Sequence, residues 1–364
     1  MPSKCRERAA MKARLPVREA ILKRRTYEAP AEGRADKVRL DFNENTSGCS
    51  TAAIRALRRL TPQQLAMYPE YEVRTTRIAR YFGVRAEELL LTNGGDDALR
   101  VFFDAFVDAG SVVLFCEPTF PMYRYYAEIY GAEIATLQYE NDMSFPLDGV
   151  LSVLRNRRPR VFFLANPNNP TGTLVPMRDI RRILEAATDT AVVLDEAYAE
   201  FSGVTALGWI RRYPQLFIAR TFSKAAGLAA LRLGAVMAQK ESLAMLKRAM
   251  PPFPVNVAAL ATAEAALRDG RAIRAYVKEA LRLREWFATE LIKLGIATFP
   301  SAGNFILANF GPAGPPLFAA LERKGILVRD RSRDMGPGFV RVTIGKRSEM
   351  QLLLKEIARN WKQG

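Results

Sequence analysis

Five short apolar runs, each ending in a polar or glycine-bearing turn, constrain this chain more than any other feature: residues 88–92, 111–115, 161–165, 191–194 and 216–219. Each has the length of a strand, and longer segments with room for helices separate them. Near-continuous apolar strands alternating with helices are buried on both faces, which predicts an α/β fold with a mostly parallel sheet flanked by helices. Such a fold presents its chemistry where strand ends open into loops. The expected organisation is a basic N-terminal arm at residues 1–38, a large domain at 45–250, and a smaller α/β domain built from 39–44 and 251–364. Strands of the smaller domain are expected at 297–299, 305–309, 326–329 and 339–344, with helices at 316–324 and 348–361. A helix at 51–60, broken at Pro62, and a helical bridge from about 251 to 290 complete the reading.

Composition narrows the chemistry. The chain has no histidine, which removes Ser-His-Asp and Cys-His nucleophile systems and every histidine metal site, so lysine, carboxylates, tyrosine or a cofactor must move protons. Cys5, Cys49 and Cys116 form no CxxC pair, which argues against a disulfide framework and fits a reducing compartment. No apolar run is long enough to span a membrane and no secretory signal opens the sequence, so the expected location is cytoplasmic. The net charge of +16 invites a nucleic-acid reading. Residues 1–39 hold twelve Lys/Arg against five Asp/Glu, so much of the excess lies in the arm, and no zinc-finger, helix-turn-helix or aromatic-rich basic strand accompanies it. The arm reads as solvated, and the basic surface as one that draws anionic substrates.

The last of the five runs leads into Arg220-Thr221-Phe222-Ser223-Lys224, with Arg232 eight residues beyond the lysine. A lysine at a strand end among small and apolar neighbours is suited to act as a nucleophilic amine toward an aldehyde. A hydroxyl at Ser223 and a cation at Arg232 suit an aldehyde that also carries phosphate. Earlier strand ends add matching pieces. Asn93-Gly94-Gly95-Asp96 opens a helix, where close backbone approach and free N–H groups make an anion site, although Asp96 also has the placement of a helix cap. Asn166-Pro167-Asn168-Asn169-Pro170-Thr171-Gly172 has the composition of a turn. Asp195 ends its strand, with Tyr198 three residues on, and Phe120 follows the second run. Arg341 sits within an apolar strand, where a charge needs a bidentate anion partner, and Arg329 lies at the end of another.

These elements, in this order, resemble the fold-type I pyridoxal-phosphate enzymes, and most of the chain resembles their histidinol-phosphate aminotransferase branch. The resemblance implies pyridoxal 5'-phosphate bound through an aldimine to Lys224, and ping-pong transfer of an amino group from L-histidinol phosphate to 2-oxoglutarate. It implies that Gly94, Gly95, Asp96, Thr221, Ser223 and Arg232 surround the cofactor phosphate, and that Phe120 stacks on the pyridine ring where many relatives have tyrosine. Asn169 and Tyr198 would serve the phenolic oxygen, and Asp195 the ring nitrogen. Asn43, in the segment crossing the site's mouth, joins Arg329 and Arg341 as substrate-binding. Tyr68, in Tyr68-Pro69-Glu70, would reach the phosphate of the neighbouring subunit, implying a homodimer with shared sites. An aromatic amino-acid aminotransferase and a phosphothreonine decarboxylase share these motifs and stay open as alternatives.

Overall fold

The computed structural model describes residues 16–24 and 32–361. Most of the basic arm, with Cys5, lies outside the described residues. Among the described residues, twelve strands form two sheets: β1 (Val38–Leu40), β2 (Leu89–Thr92), β3 (Val112–Glu117), β4 (Glu133–Gln138), β5 (Val161–Ala165), β6 (Ala191–Asp195), β7 (Leu216–Thr221), β8 (Gly234–Met237), β9 (Ala297–Phe299), β10 (Phe305–Asn309), β11 (Ile326–Asp330) and β12 (Phe339–Thr343).

The larger sheet has the order β2-β8-β7-β6-β5-β3-β4. Its pairs from β4 through β7 are parallel, and β8 runs antiparallel to both its neighbours. Every residue of β5 is buried, because helices cover both faces. Phe162 and Leu164 join one apolar cluster, while Val161, Phe163 and Ala165 join another, as the two-residue period of a strand requires. Phe103 of helix Gly95–Phe106 stacks on Phe163 at 5.2 Å between ring centroids, and Phe102 meets Phe217 edge-on at 5.1 Å. On the opposite face, helices Leu147–Arg157 and Met177–Ala186 contribute Leu151, Leu154, Ile180 and Ile183. The chain moves outward from β3 to β4 and returns to the other side of β3 as β5, so strand order reverses between β3 and β5. Ligands of open α/β sheets bind beyond the carboxyl ends at such a point.

The smaller sheet has the order β1-β11-β12-β10-β9. β1 pairs in parallel with β11, which brings residues 38–45 against the C-terminal third of the chain. Three strands go beyond the runs singled out from sequence. β4 is a half-buried edge, β8 is four residues long, and β1 has three residues and depends on β11 for pairing. Pro62 does more than end a helix: Thr61 caps a new one, Pro62–Ala66, in which proline takes the first position. The expected bridge is two helices, Val257–Asp269 and Arg271–Lys293, joined at Gly270 in the left-handed region (φ 56°). The first packs against helices Thr51–Arg58 and Glu72–Phe82. Among the described residues, no helix is long and apolar enough to cross a membrane.

Candidate active site

A cavity of about 350 Å³ opens at the carboxyl ends of β5, β6 and β7, beside the reversal point, and the face of the smaller sheet closes it. Lys224 leaves β7 through Phe222 and Ser223 and reaches into this space, where its Nζ donates to the Phe42 carbonyl at 2.8 Å. Burial, followed by the neighbouring Arg341 charge, pulls the amine down to about 8. Asp195 is the last residue of β6. Its Oδ2 accepts from the Tyr123 hydroxyl at 2.8 Å and its Oδ1 from the Ala197 backbone at 3.1 Å. Burial raises this carboxyl above its ordinary range, and the two hydrogen bonds oppose that shift.

Tyr123 escaped the sequence reading except as a core or lining residue. It is core, stacked on Phe163 at 5.1 Å, and it is also the partner of Asp195. Burial pushes its phenol well above the ordinary tyrosine value, so it acts as a donor. The signal for this role was faint: one more aromatic, three residues past Phe120. Phe120 lies on the cavity wall and meets Tyr123 edge-on.

The asparagines of the 166–172 turn divide their work. Asn166 bonds Val175 through both its amide atoms, and Asn168 accepts from Thr119 and donates to Thr171 and the Pro118 carbonyl, so both shape the loop. Asn169 alone of the three faces the cavity, and its Oδ1 accepts from Arg341. That bond leaves the Asn169 amide N–H groups for a ligand. Gly172 is also constrained, since a Cβ there would sit 2.6 Å from the Ser301 side chain.

At the end of β2, Gly94 takes φ 86°, and a Cβ would fall 2.6 Å from Arg232 Nη2. Gly95 and Asp96 begin the helix and line the cavity, with Thr221, Ser223 and Arg232 across from them. Helix N-termini leave N–H groups without intrahelical partners, so this corner combines backbone donors, two hydroxyls and a guanidinium. Arg232 donates to Asp96 Oδ2 at 3.1 Å, while Asp97, not Asp96, accepts the Asn93 N–H.

Arg329 and Arg341 lie directly opposite each other on β11 and β12, so both side chains leave the same face. Arg341 is buried, and it donates to Asn169 Oδ1 and to the Asp41 carbonyl. Burial lowers its guanidinium to about 10. Arg331, just past the end of β11, also lines the cavity and was not singled out from the sequence. Phe42 and Glu44 are further wall residues that the sequence did not single out.

Two candidates fall elsewhere. Asn43, expected as a substrate contact, is fully buried and off the cavity wall, and its polar atoms bond to Tyr198 and Thr343. Tyr68 is 77% exposed and away from the cavity, stacked on Phe253 at 4.3 Å.

The sequence profile of the family described as Aminotransferase class I and II matches residues 35–357. The chain belongs to the class I and II aminotransferases. Among curated members of the family, it is 34% identical to histidinol-phosphate aminotransferase 1 of Carboxydothermus hydrogenoformans, over 88% of this chain and 92% of that protein. It is 31% identical to the histidinol-phosphate aminotransferase of Clostridium novyi, over 89% and 91%. Its fold superposes on the histidinol-phosphate aminotransferase of Sinorhizobium meliloti, solved in complex with pyridoxal-5'-phosphate, with a TM-score of 0.88, 24% identity and coverage of 96% and 98%. This aminotransferase therefore has the family's architecture along nearly its whole described length.

Proposed function

We propose that this aminotransferase uses pyridoxal 5'-phosphate to convert L-histidinol phosphate and 2-oxoglutarate into imidazole acetol phosphate and L-glutamate, a step of histidine biosynthesis. One observation carries the reading: a half-buried lysine amine, a half-buried carboxylate and an anion-binding corner share one cavity. The donor set fits the cofactor. Gly95, Asp96, Thr221, Ser223 and Arg232 would hold its phosphate, Phe120 a ring face, Asn169 and Tyr198 its phenolic oxygen, and Asp195 its ring nitrogen. When bound, the cofactor supplies an electron sink that lets the substrate α-carbon lose its proton.

The protein's own groups do the rest. Lys224, neutral above about 8, takes and returns the proton at the substrate carbon. Asp195 is costly to ionise where it is buried, so a cation opposite it is favoured, and Tyr123 holds the carboxylate in line. Arg329 and Arg341 offer planar forks to either a phosphate or a carboxylate, which lets one pole serve donor and acceptor in turn. The names of the curated relatives favour histidinol phosphate over the aromatic amino-acid and decarboxylase alternatives.

A homodimer belongs to the same proposal. Leu65, Met67, Tyr68, Val73 and Phe253 are all exposed, and Tyr68 stacks on Phe253, which supports burial against a second copy that receives Tyr68 at its site. We also propose the division into residues 45–250 and 39–44 with 251–364, and a cytoplasmic location, with Cys49 and Cys116 as free thiols.

A donor panel tests the substrate. Histidinol phosphate should exceed histidinol by more than the roughly ten- to hundredfold of one charged hydrogen bond. Equal rates for the two, or a preference for phenylalanine over both, would overturn the assignment.

A further inference from the structure

Three consecutive residues, Asp41, Phe42 and Asn43, run beside the cavity, which Phe42 lines, and each holds one of its working side chains. The Asp41 carbonyl accepts from Arg341, the Phe42 carbonyl accepts from Lys224 at 2.8 Å, and the Asn43 amide nitrogen lies 2.8 Å from the Tyr198 hydroxyl. Asn43 adopts φ 55°, a left-handed conformation that asparagine tolerates better than most residues.

The hydrogen bonds around Asn43 leave little freedom. Its backbone N–H can only donate, and it donates to Thr343 Oγ1 at 2.9 Å. The Thr343 hydroxyl proton is thus left for Asn43 Oδ1, 3.1 Å away. An amide whose oxygen faces Thr343 must turn its nitrogen to Tyr198, and nitrogen there can only donate. Asn304 Nδ2 fills the remaining position at the Asn43 carbonyl, 3.2 Å away. The Tyr198 ring is fixed edge-on against Phe305 at 5.1 Å, so its hydroxyl oxygen has a set position.

We infer that Asn43 is a positioning residue that fixes the polarity of the Tyr198 hydroxyl: by occupying the phenol oxygen as a donor, it directs the hydroxyl proton into the cavity. Thr343 is the second member of the relay, since it sets which way the Asn43 amide faces. The inference rests on the cofactor reading, because the acceptor awaiting that proton is an anionic phenolic oxygen. A donated proton stabilises that oxygen's negative charge and so lowers the proton affinity of the bound chromophore.

The test reverses the polarity without changing shape. Asn43→Asp replaces the donor by a carboxylate that accepts the Tyr198 proton instead. The absorbance titration of the bound cofactor should then move upward by about one pH unit, a tenfold gain in proton affinity, as in Tyr198→Phe. In the Tyr198→Phe background, Asn43→Asp should shift it clearly less, since only the new charge then acts. Asn43→Gly, which keeps the left-handed backbone and removes the amide, should shift it less than Asn43→Asp. If Asn43→Asp does not fold, Thr343→Val carries the same test: it frees the amide to turn its oxygen toward Tyr198, and an upward shift is expected. An unmoved titration in the folded variants, or a shift from Asn43→Asp that is undiminished without the Tyr198 hydroxyl, overturns the inference alone. A parent protein that takes up no pyridoxal phosphate overturns the cofactor reading and this inference together.

Discussion

The carboxyl ends of the seven-stranded sheet and the face of the five-stranded sheet meet across one cavity, and they are built on opposite plans. On the first side, each functional group sits at or just past the end of its own parallel strand: Asn169 after β5, Asp195 on β6, Lys224 after β7. Loops fix these groups locally, as Asn166 and Asn168 do for Asn169. On the second side, Arg329 and Arg341 stand on antiparallel strands, and their meeting depends on the register of β11 with β12. The strap at 41–43 belongs to this side through β1, hundreds of residues away in sequence. We assign the strand ends to bond making and the sheet face to holding the substrate's anion. Damage to the two sides should therefore differ in kind.

The largest effect should come from the strand ends. Lys224→Ala is expected to lower kcat by about 10⁴-fold, the upper range for removing a general acid–base, with cofactor still bound. Borohydride fixation and peptide mapping should place the label on Lys224 in the parent; a label on another lysine breaks the comparison at its first term. Next comes the sheet face. Arg341→Lys keeps the charge and loses the fork, so kcat/KM should fall about ten- to hundredfold in both half-reactions. Single-turnover rates with each substrate would show it, and a loss confined to one half would mean that the two substrates use different poles.

A smaller effect is expected at Tyr68, which belongs to neither side of its own cavity. Tyr68→Phe should cost about tenfold, the low end for a hydrogen bond to a charged phosphate. Mixing it with Lys224→Ala chains should restore activity above that of either homodimer, and failure despite proven subunit exchange removes the shared site. The finest test is of electrostatics. Burial and Arg341 hold Lys224 at about 8, so in cofactor-free protein its acylation should rise with pH and reach half-maximum near 8, where an ordinary lysine would still be protonated. Arg341→Met removes a nearby positive charge, so that midpoint should move upward. A midpoint that does not respond would separate the two walls electrically.

The sequence by itself determined the parallel sheet and the order of its turns, and it singled out Lys224, Asp195, Asn169, Arg232, Arg329 and Arg341, which line one cavity. Apolar strands buried on both faces are continuous in sequence, and a loop at a strand end carries its chemistry within a few residues of that strand. Strands β1, β4 and β8 were less legible, because a short or half-buried strand is stabilised mainly by its neighbours. Tyr123 looked like core because it is core; only the fold shows its hydroxyl ending on Asp195. Asn43 was expected as a substrate contact, whereas tertiary packing buries it between Tyr198 and Thr343. Local sequence records which groups a turn offers, but the partner that claims each group comes from elsewhere in the chain. A hydrogen bond between residues 155 or 300 positions apart leaves no period, cap or spacing to read.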